Sequence, residues 1–145
     1  MDVVDRSALV HYSNDEMFAL VSDIDAYPQF LPWCSGARVL SHEQHEMCAR
    51  IDFSVSGVNK SFTTRNQLQP GHEISMQLVE GPFSQLEGRW RFEPLGDAGS
   101  KISLFLEYDF SSKMVSLAVG PVFNKIANTL VDAFQKRAVE VYGAR

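Results

Sequence analysis

Between residues 46 and 110 the chain alternates apolar and polar positions with few interruptions. Met47, Ala49, Ile51, Phe53 and Val55 share one face opposite Arg50, Asp52, Ser54 and Ser56, the two-residue period of a half-buried strand. A turn at Gly57-Val58-Asn59 leads to Phe62, Thr64, Asn66 and Leu68, opposite Ser61, Thr63, Arg65 and Gln67. Pro70-Gly71 makes the next turn, before Ile74, Met76 and Leu78. Beyond Gly81-Pro82 come Leu86, Gly88, Trp90 and Phe92, and beyond Asp97-Ala98-Gly99 come Ile102, Leu104, Leu106, Tyr108 and Phe110. The pattern, which starts after Gly36, predicts an antiparallel meander of about six strands joined by short hairpins.

The flanks read differently. Residues 2 to 12 are rich in Val and Leu and read as a first strand. Ser13 and Glu16 have the spacing of a capping box for a short helix at 14 to 22, with Met17, Phe18, Leu20 and Val21 as its buried stripe. Asp23 to Phe30 leaves room for one further helical turn before Pro32. After Ser112 the period becomes helical, with Val119, Phe123, Ile126, Leu130, Phe134, Ala138 and Val141 at three- and four-residue steps. Pro121 predicts a kink or a division, with a shorter piece at 113 to 119. These elements make a single α+β domain over 1–145: a curved sheet of about seven strands wrapped around a long C-terminal helix, with two short helices after the first strand.

The segment Tyr27-Pro28-Gln29-Phe30-Leu31-Pro32-Trp33-Cys34 holds three aromatics and two prolines and is too broken for a regular element. The prolines stiffen it and push Tyr27 and Leu31 toward extended geometry. It covers a pocket, meets a partner or membrane, or plugs the core.

Composition narrows the class. At 45% hydrophobic and 21% charged residues, the 145-residue chain is an ordinary globular domain rather than a disordered one. It has no run of about 18 apolar residues and no basic-then-apolar leader, so the expectation is a cytoplasmic protein, peripheral at most to the inner membrane. Cys34 and Cys48 lack metal or disulfide-framework spacing, and Asn59-Lys60-Ser61 is then a chance sequon. The net charge of −5 disfavours nonspecific nucleic-acid binding. The C-terminal segment is nevertheless basic, and its Lys125, Lys136, Arg137 and Arg145 make a solvated helix face or the chain's one basic contact surface.

A sheet curled around a helix leaves a ligand space of roughly 300 to 1,000 Å³. Inward parity assigns Met47, Ile51, Phe53, Met76, Leu86, Phe92, Leu104 and Leu106 to its sheet wall, and Phe123, Ile126, Leu130 and Phe134 to its helix wall. Thr64, Asn66, Trp90 and Tyr108 bring polar atoms to the same face. Neighbours or water satisfy these groups, or they hydrogen-bond the polar head of a mainly hydrophobic molecule.

The segments YPQFLPWC (27–34), SFTTRNQL (61–68), EGPFSQLEGRWRF (80–92) and FNKIANTLVDAFQKRA (123–138) resemble the coenzyme-Q-binding START-like family, a branch of the polyketide cyclase and START superfamily, over nearly the whole chain. The resemblance implies the helix-grip fold and non-enzymatic binding of a polyprenyl quinone such as ubiquinone, in support of respiration, with no cofactor required. On it, Tyr27, Phe30, Leu31 and Trp33 gate the entrance and Gly81, Pro82 and Phe83 face them. The interior residues hold the isoprenoid tail, and Asn66, Trp90 and Tyr108 supply donors to the quinone carbonyls. The family's bacterial branch of RatA ribosome-association toxins implies an alternative role, binding the large ribosomal subunit and blocking its union with the small one, for which Lys125, Lys136, Arg137 and Arg145 are the candidate contacts.

A cyclase-like enzyme is the third reading. It needs an acid or base in the cavity, yet His42, His45 and His72 fall near turns, His11 sits at a strand end, and no histidine is a partner for Cys34 as nucleophile. No metal-ligand spacing, phosphate loop or Ser-His-Asp arrangement occurs.

Overall fold

Strand alternation this regular, joined by tight turns, leaves the chain one economical route: each new strand pairs with the last. The computed structural model describes residues 1–145. Strand β1 (Asp2–Val10) is followed by helix α1 (Asn14–Ser22), a 3₁₀ turn (Ile24–Ala26) and a single turn α2 (Tyr27–Phe30). Strands β2 (Cys34–Glu43), β3 (Glu46–Val55), β4 (Val58–Gln69), β5 (Glu73–Glu80), β6 (Phe83–Pro94) and β7 (Ser100–Phe110) precede helix α3 (Lys113–Tyr142). The seven strands form one antiparallel sheet ordered β1-β7-β6-β5-β4-β3-β2. The long excursion between β1 and β2 returns the chain to the far edge, and α3 lies across the concave face. This is the helix-grip architecture expected from the sequence.

The inward set is as the alternation predicts: Met47, Ala49, Ile51, Phe53, Leu86, Trp90, Phe92, Ile102, Leu104, Leu106, Tyr108 and Phe110 are all buried. The Ser13 hydroxyl accepts from Glu16 N at 3.0 Å and Ser13 N donates to the Glu16 carboxylate at 2.9 Å, completing the capping box. Gly88 occupies an inward position where a Cβ would stand 2.3 Å from the Phe105 carbonyl. Its missing side chain lets β6 close against β7.

Four local expectations are corrected. The turn after β3 consists of Ser56 and Gly57, both at positive φ (51° and 81°), so Val58 and Asn59 already belong to β4. That pair of left-handed residues suits the twist of a two-residue hairpin. Tyr27 is helical (φ −53°, ψ −44°) rather than extended, because Pro28 falls in the first turn of α2, where its missing N–H costs nothing; Leu31 is extended as expected. Helix α3 runs undivided through Pro121. The carbonyl that Pro121 leaves unpaired belongs to Leu117, on the exposed face of the helix where water can reach it. Val141 is exposed, and Ala127 and Val131 complete the buried stripe as the 3.6-residue period drifts. By length and composition α3 is apolar enough to span a bilayer, although no run of strictly apolar residues signals it.

Phe123 anchors α3. Its ring lies 4.8 Å from Tyr108, 4.9 Å from Phe83, 5.9 Å from Phe62 and 6.1 Å from Phe53, all tilted or edge-on. Phe134, eleven residues on, meets Trp90 at 5.3 Å, Phe30 at 5.4 Å and Tyr27 at 5.5 Å. Truncation of Phe123 to Ala is expected to lower unfolding free energy by about 3–5 kcal/mol in urea titration, whereas Leu117→Ala changes it by at most about 0.5 kcal/mol.

Candidate ligand cavity

Between the anchors Phe123 and Phe134 the helix offers Ile126, Ala127 and Leu130, which are too small to reach the sheet. The space left is a cavity of about 100 Å³. That is below the roughly 300 to 1,000 Å³ usual for sites of drug-sized ligands, so a long chain enters only if the covering segment shifts. Of its 24 lining residues, 21 are hydrophobic; the remaining three are Ser22, Thr64 and Asn66. No histidine, carboxylate, lysine, arginine or cysteine borders it.

Sixteen of the residues selected from the sequence line this space: Tyr27, Trp33, Met47, Ile51, Phe53, Thr64, Asn66, Met76, Leu86, Trp90, Leu104, Leu106, Phe123, Ile126, Leu130 and Phe134. Others do not. Leu31 is 1% exposed and packs as a core plug, and Phe30 lies between Tyr27 and Phe134 with the Arg137 guanidinium 4.8 Å from its ring centre. Phe83 stacks on Phe110 at 5.2 Å within the cluster around Phe123. Tyr108 faces inward, but its hydroxyl donates to the Asn124 side-chain carbonyl on α3, and burial pushes its pKa up to about 12. Phe92, assigned to the sheet wall, packs instead against Phe18 and Trp90. The sequence reading missed Val21, Ser22 and Ile24, which roof the cavity; the apolar stripe of α1 signals burial and not what it is buried against.

The polar pair has a defined orientation. Thr64 and Asn66 are both buried on β4, and the Thr64 hydroxyl donates to Asn66 Oδ1 at 2.9 Å. The amide NH₂ of Asn66 has no protein acceptor and is a donor on a largely apolar wall. The Tyr27 hydroxyl donates to the Val21 carbonyl, and burial raises its pKa, so the covering segment is tied to the end of α1 by a neutral phenol. Cys34 is buried, its thiol donating to the Gly36 carbonyl at 3.3 Å; burial raises its pKa and keeps it an unreactive thiol. His11, His42, His45 and His72 are all exposed and outside the cavity.

The basic C-terminal face is smaller than its charge count. Arg145 makes a bidentate pair with Glu16 (2.7 and 2.8 Å) and lies over the rings of Tyr12 and Tyr142. Arg137 bonds Gln29 at 3.2 Å and lies over Phe30. Lys125 and Lys136 are exposed with no acidic partner. Two of the four candidates thus hold the molecule together.

The family model described as "polyketide cyclase / dehydrase and lipid transport" matches residues 10–135. The chain is 51% identical over 143 residues to a protein of Vibrio cholerae named ribosome association toxin RatA, covering 99% of each. It is 46% identical over 145 residues to a protein of that name from Escherichia coli K12, covering all of this chain and 92% of the other. A Xenopus laevis mitochondrial protein named coenzyme Q-binding protein COQ10 homolog B is 28% identical over 95% of this chain and 58% of its own length. A START superfamily protein from Mycobacterium smegmatis shares the fold, with a TM-score of 0.79 at 22% identity over 96% of this chain and 98% of that one.

The Arg145 guanidinium and the Ser13 backbone N–H hold the Glu16 carboxyl at about 2, below the about 4.3 of a free glutamate. A lowered folded-state pKa stabilises the fold above the free value, and that contribution fades as pH falls from about 4.3 to about 2. Glu16→Gln is therefore expected to flatten the stability profile in this window, as followed by thermal melts at graded pH.

Proposed function

The chain belongs to the polyketide cyclase/dehydrase and lipid transport family, and on that premise we propose that it acts by binding rather than by catalysis: it associates with the ribosome and takes an apolar molecule into its cavity. The ribosomal role is carried by identities of 46–51% over essentially the full chain with relatives named ribosome association toxin RatA. The partner would be the large subunit, whose union with the small one the protein would block, lowering translation initiation. The exposed Lys125 and Lys136 are the contacts proposed for α3. Lys125→Glu with Lys136→Glu is expected to reduce co-sedimentation with large subunits several-fold at low salt, and raised salt to do the same to the parent. Binding that ignores both changes would remove this face from the interface.

The second reading, ligand binding, is favoured by the Thr64–Asn66 pair on an apolar wall. A polyprenyl quinone fits this chemistry: its tail needs an unhydrated apolar lining and its carbonyl a donor, the role proposed for the Asn66 amide. The mitochondrial COQ10 homologue lends it support. The absence of any acid, base or thiol from the lining supports binding over cyclisation. Because Trp33 and Trp90 both border the cavity, quenching of their emission reports occupancy. Asn66→Leu is expected to weaken ubiquinone about tenfold, a loss of about 1.4 kcal/mol. Unchanged affinity would assign the head group elsewhere.

A further inference from the structure

The large apolar side chains most exposed to water lie on α3, one turn apart, and not in the aromatic segment expected to touch a membrane. Met114 is 80% and Leu117 74% exposed, while Trp33 is half-buried against the cavity. Ala118 and Pro121 are exposed on the same face, at the three-, four- and seven-residue spacings of one helical stripe. The opposite face of these turns, Val119 and Phe123, is buried. The first half of α3 is therefore apolar on both sides, which packing against one sheet does not require.

Charge selects the occupant. From Phe110 to Val131 there is no acidic residue, and Lys113 and Lys125 bracket the exposed stripe. The first turn of α3 also lacks the acids that a helix N-terminus ordinarily favours. Apolar side chains projecting between lysines match a bilayer interface: methionine and leucine enter the acyl boundary while lysines reach anionic head groups.

We infer that the first two turns of α3 dock this protein on an anionic lipid surface through Met114 and Leu117. The docking serves the ligand reading above, on which its purpose rests. The same helix lines the cavity three residues beyond Gly120, at Phe123, Ile126 and Ala127. Docking there brings the helical wall of the cavity to the surface in which an apolar ligand is dissolved.

Vesicle flotation tests this, comparing phosphatidylglycerol-containing vesicles with pure phosphatidylcholine. The full-length protein is expected to float with the anionic vesicles and weakly with the neutral ones. Met114→Glu/Leu117→Glu should lower its partitioning at least tenfold, and Trp33→Ala should not. Both substituted side chains are solvent-exposed, and a thermal melt verifies that the double variant is folded. Failure of the parent to float, or equal flotation of the double variant, overturns the proposal. So does a double variant that loses only co-sedimentation with ribosomal subunits, which would give the patch to a protein. Ubiquinone uptake from detergent micelles, measured on the same samples, reports separately on the cavity: uptake absent with flotation intact contradicts the ligand reading and leaves the docking supported.

Discussion

One helix has to close a seven-stranded sheet, and everything else in this molecule follows from how it is held there. Phe123 and Phe134 are the two large rings that α3 sends into the sheet, eleven residues and so roughly 16 Å apart along the axis. Each meets a cluster of aromatics rising from the strands or from the covering segment. The shorter side chains between them, Ile126, Ala127 and Leu130, do not fill the gap. Stability and ligand space are thus two consequences of a single spacing on one helix face. Two anchors set the distance between helix and sheet, and the residues between them set what remains open.

The covering segment is built by the same logic. Tyr27 both packs on Phe134 and ties its hydroxyl to the end of α1, while Leu31 plugs the core below it. The C-terminus closes the other end, where Arg145 clasps the capping-box residue Glu16 and Tyr12 bonds the Gly143 carbonyl at 2.6 Å. Charges that look available for a partner in the linear chain are in part internal ties. What faces outward on α3 is a sparser set: two free lysines further along, and an apolar stripe at its start. The proposed ribosomal and lipid contacts both use Lys125 on the outer side of α3, whereas the cavity lies on the side of the helix that faces the sheet.

Strand alternation carried the sheet in the sequence, because a period of two leaves no ambiguity where one face is buried; the inward sets of β3, β6 and β7 follow from it directly. Turn positions were less certain, since Gly57 marks a turn without saying which neighbour joins it. Prolines misled twice: Pro28 sits at a helix start and Pro121 beside a water-exposed carbonyl, and both contexts are tertiary. The site was partly readable for a related reason. Parity tells which face a residue occupies but not its height along the strand, so it puts Thr64, Asn66 and Trp90 in the cavity but also Tyr108, which belongs to the cluster at its end. Contacts between distant segments, such as Arg145 with Glu16 or Phe30 with Arg137, leave no local pattern at all.

The central claim, that the gap between the two aromatic anchors is a binding site, is most directly tested by titrating a short-chain ubiquinone into isotope-labelled protein and following NMR signals. The chain's two tryptophans both border the gap, so their indole resonances and the Asn66 side-chain amide form a compact reporter set. The account predicts that all three shift together and saturate at one ligand per chain, with the backbone amides of residues 113–120 unmoved. Shifts confined to the surface of α3, or none at the Asn66 amide when both indoles respond, would contradict it.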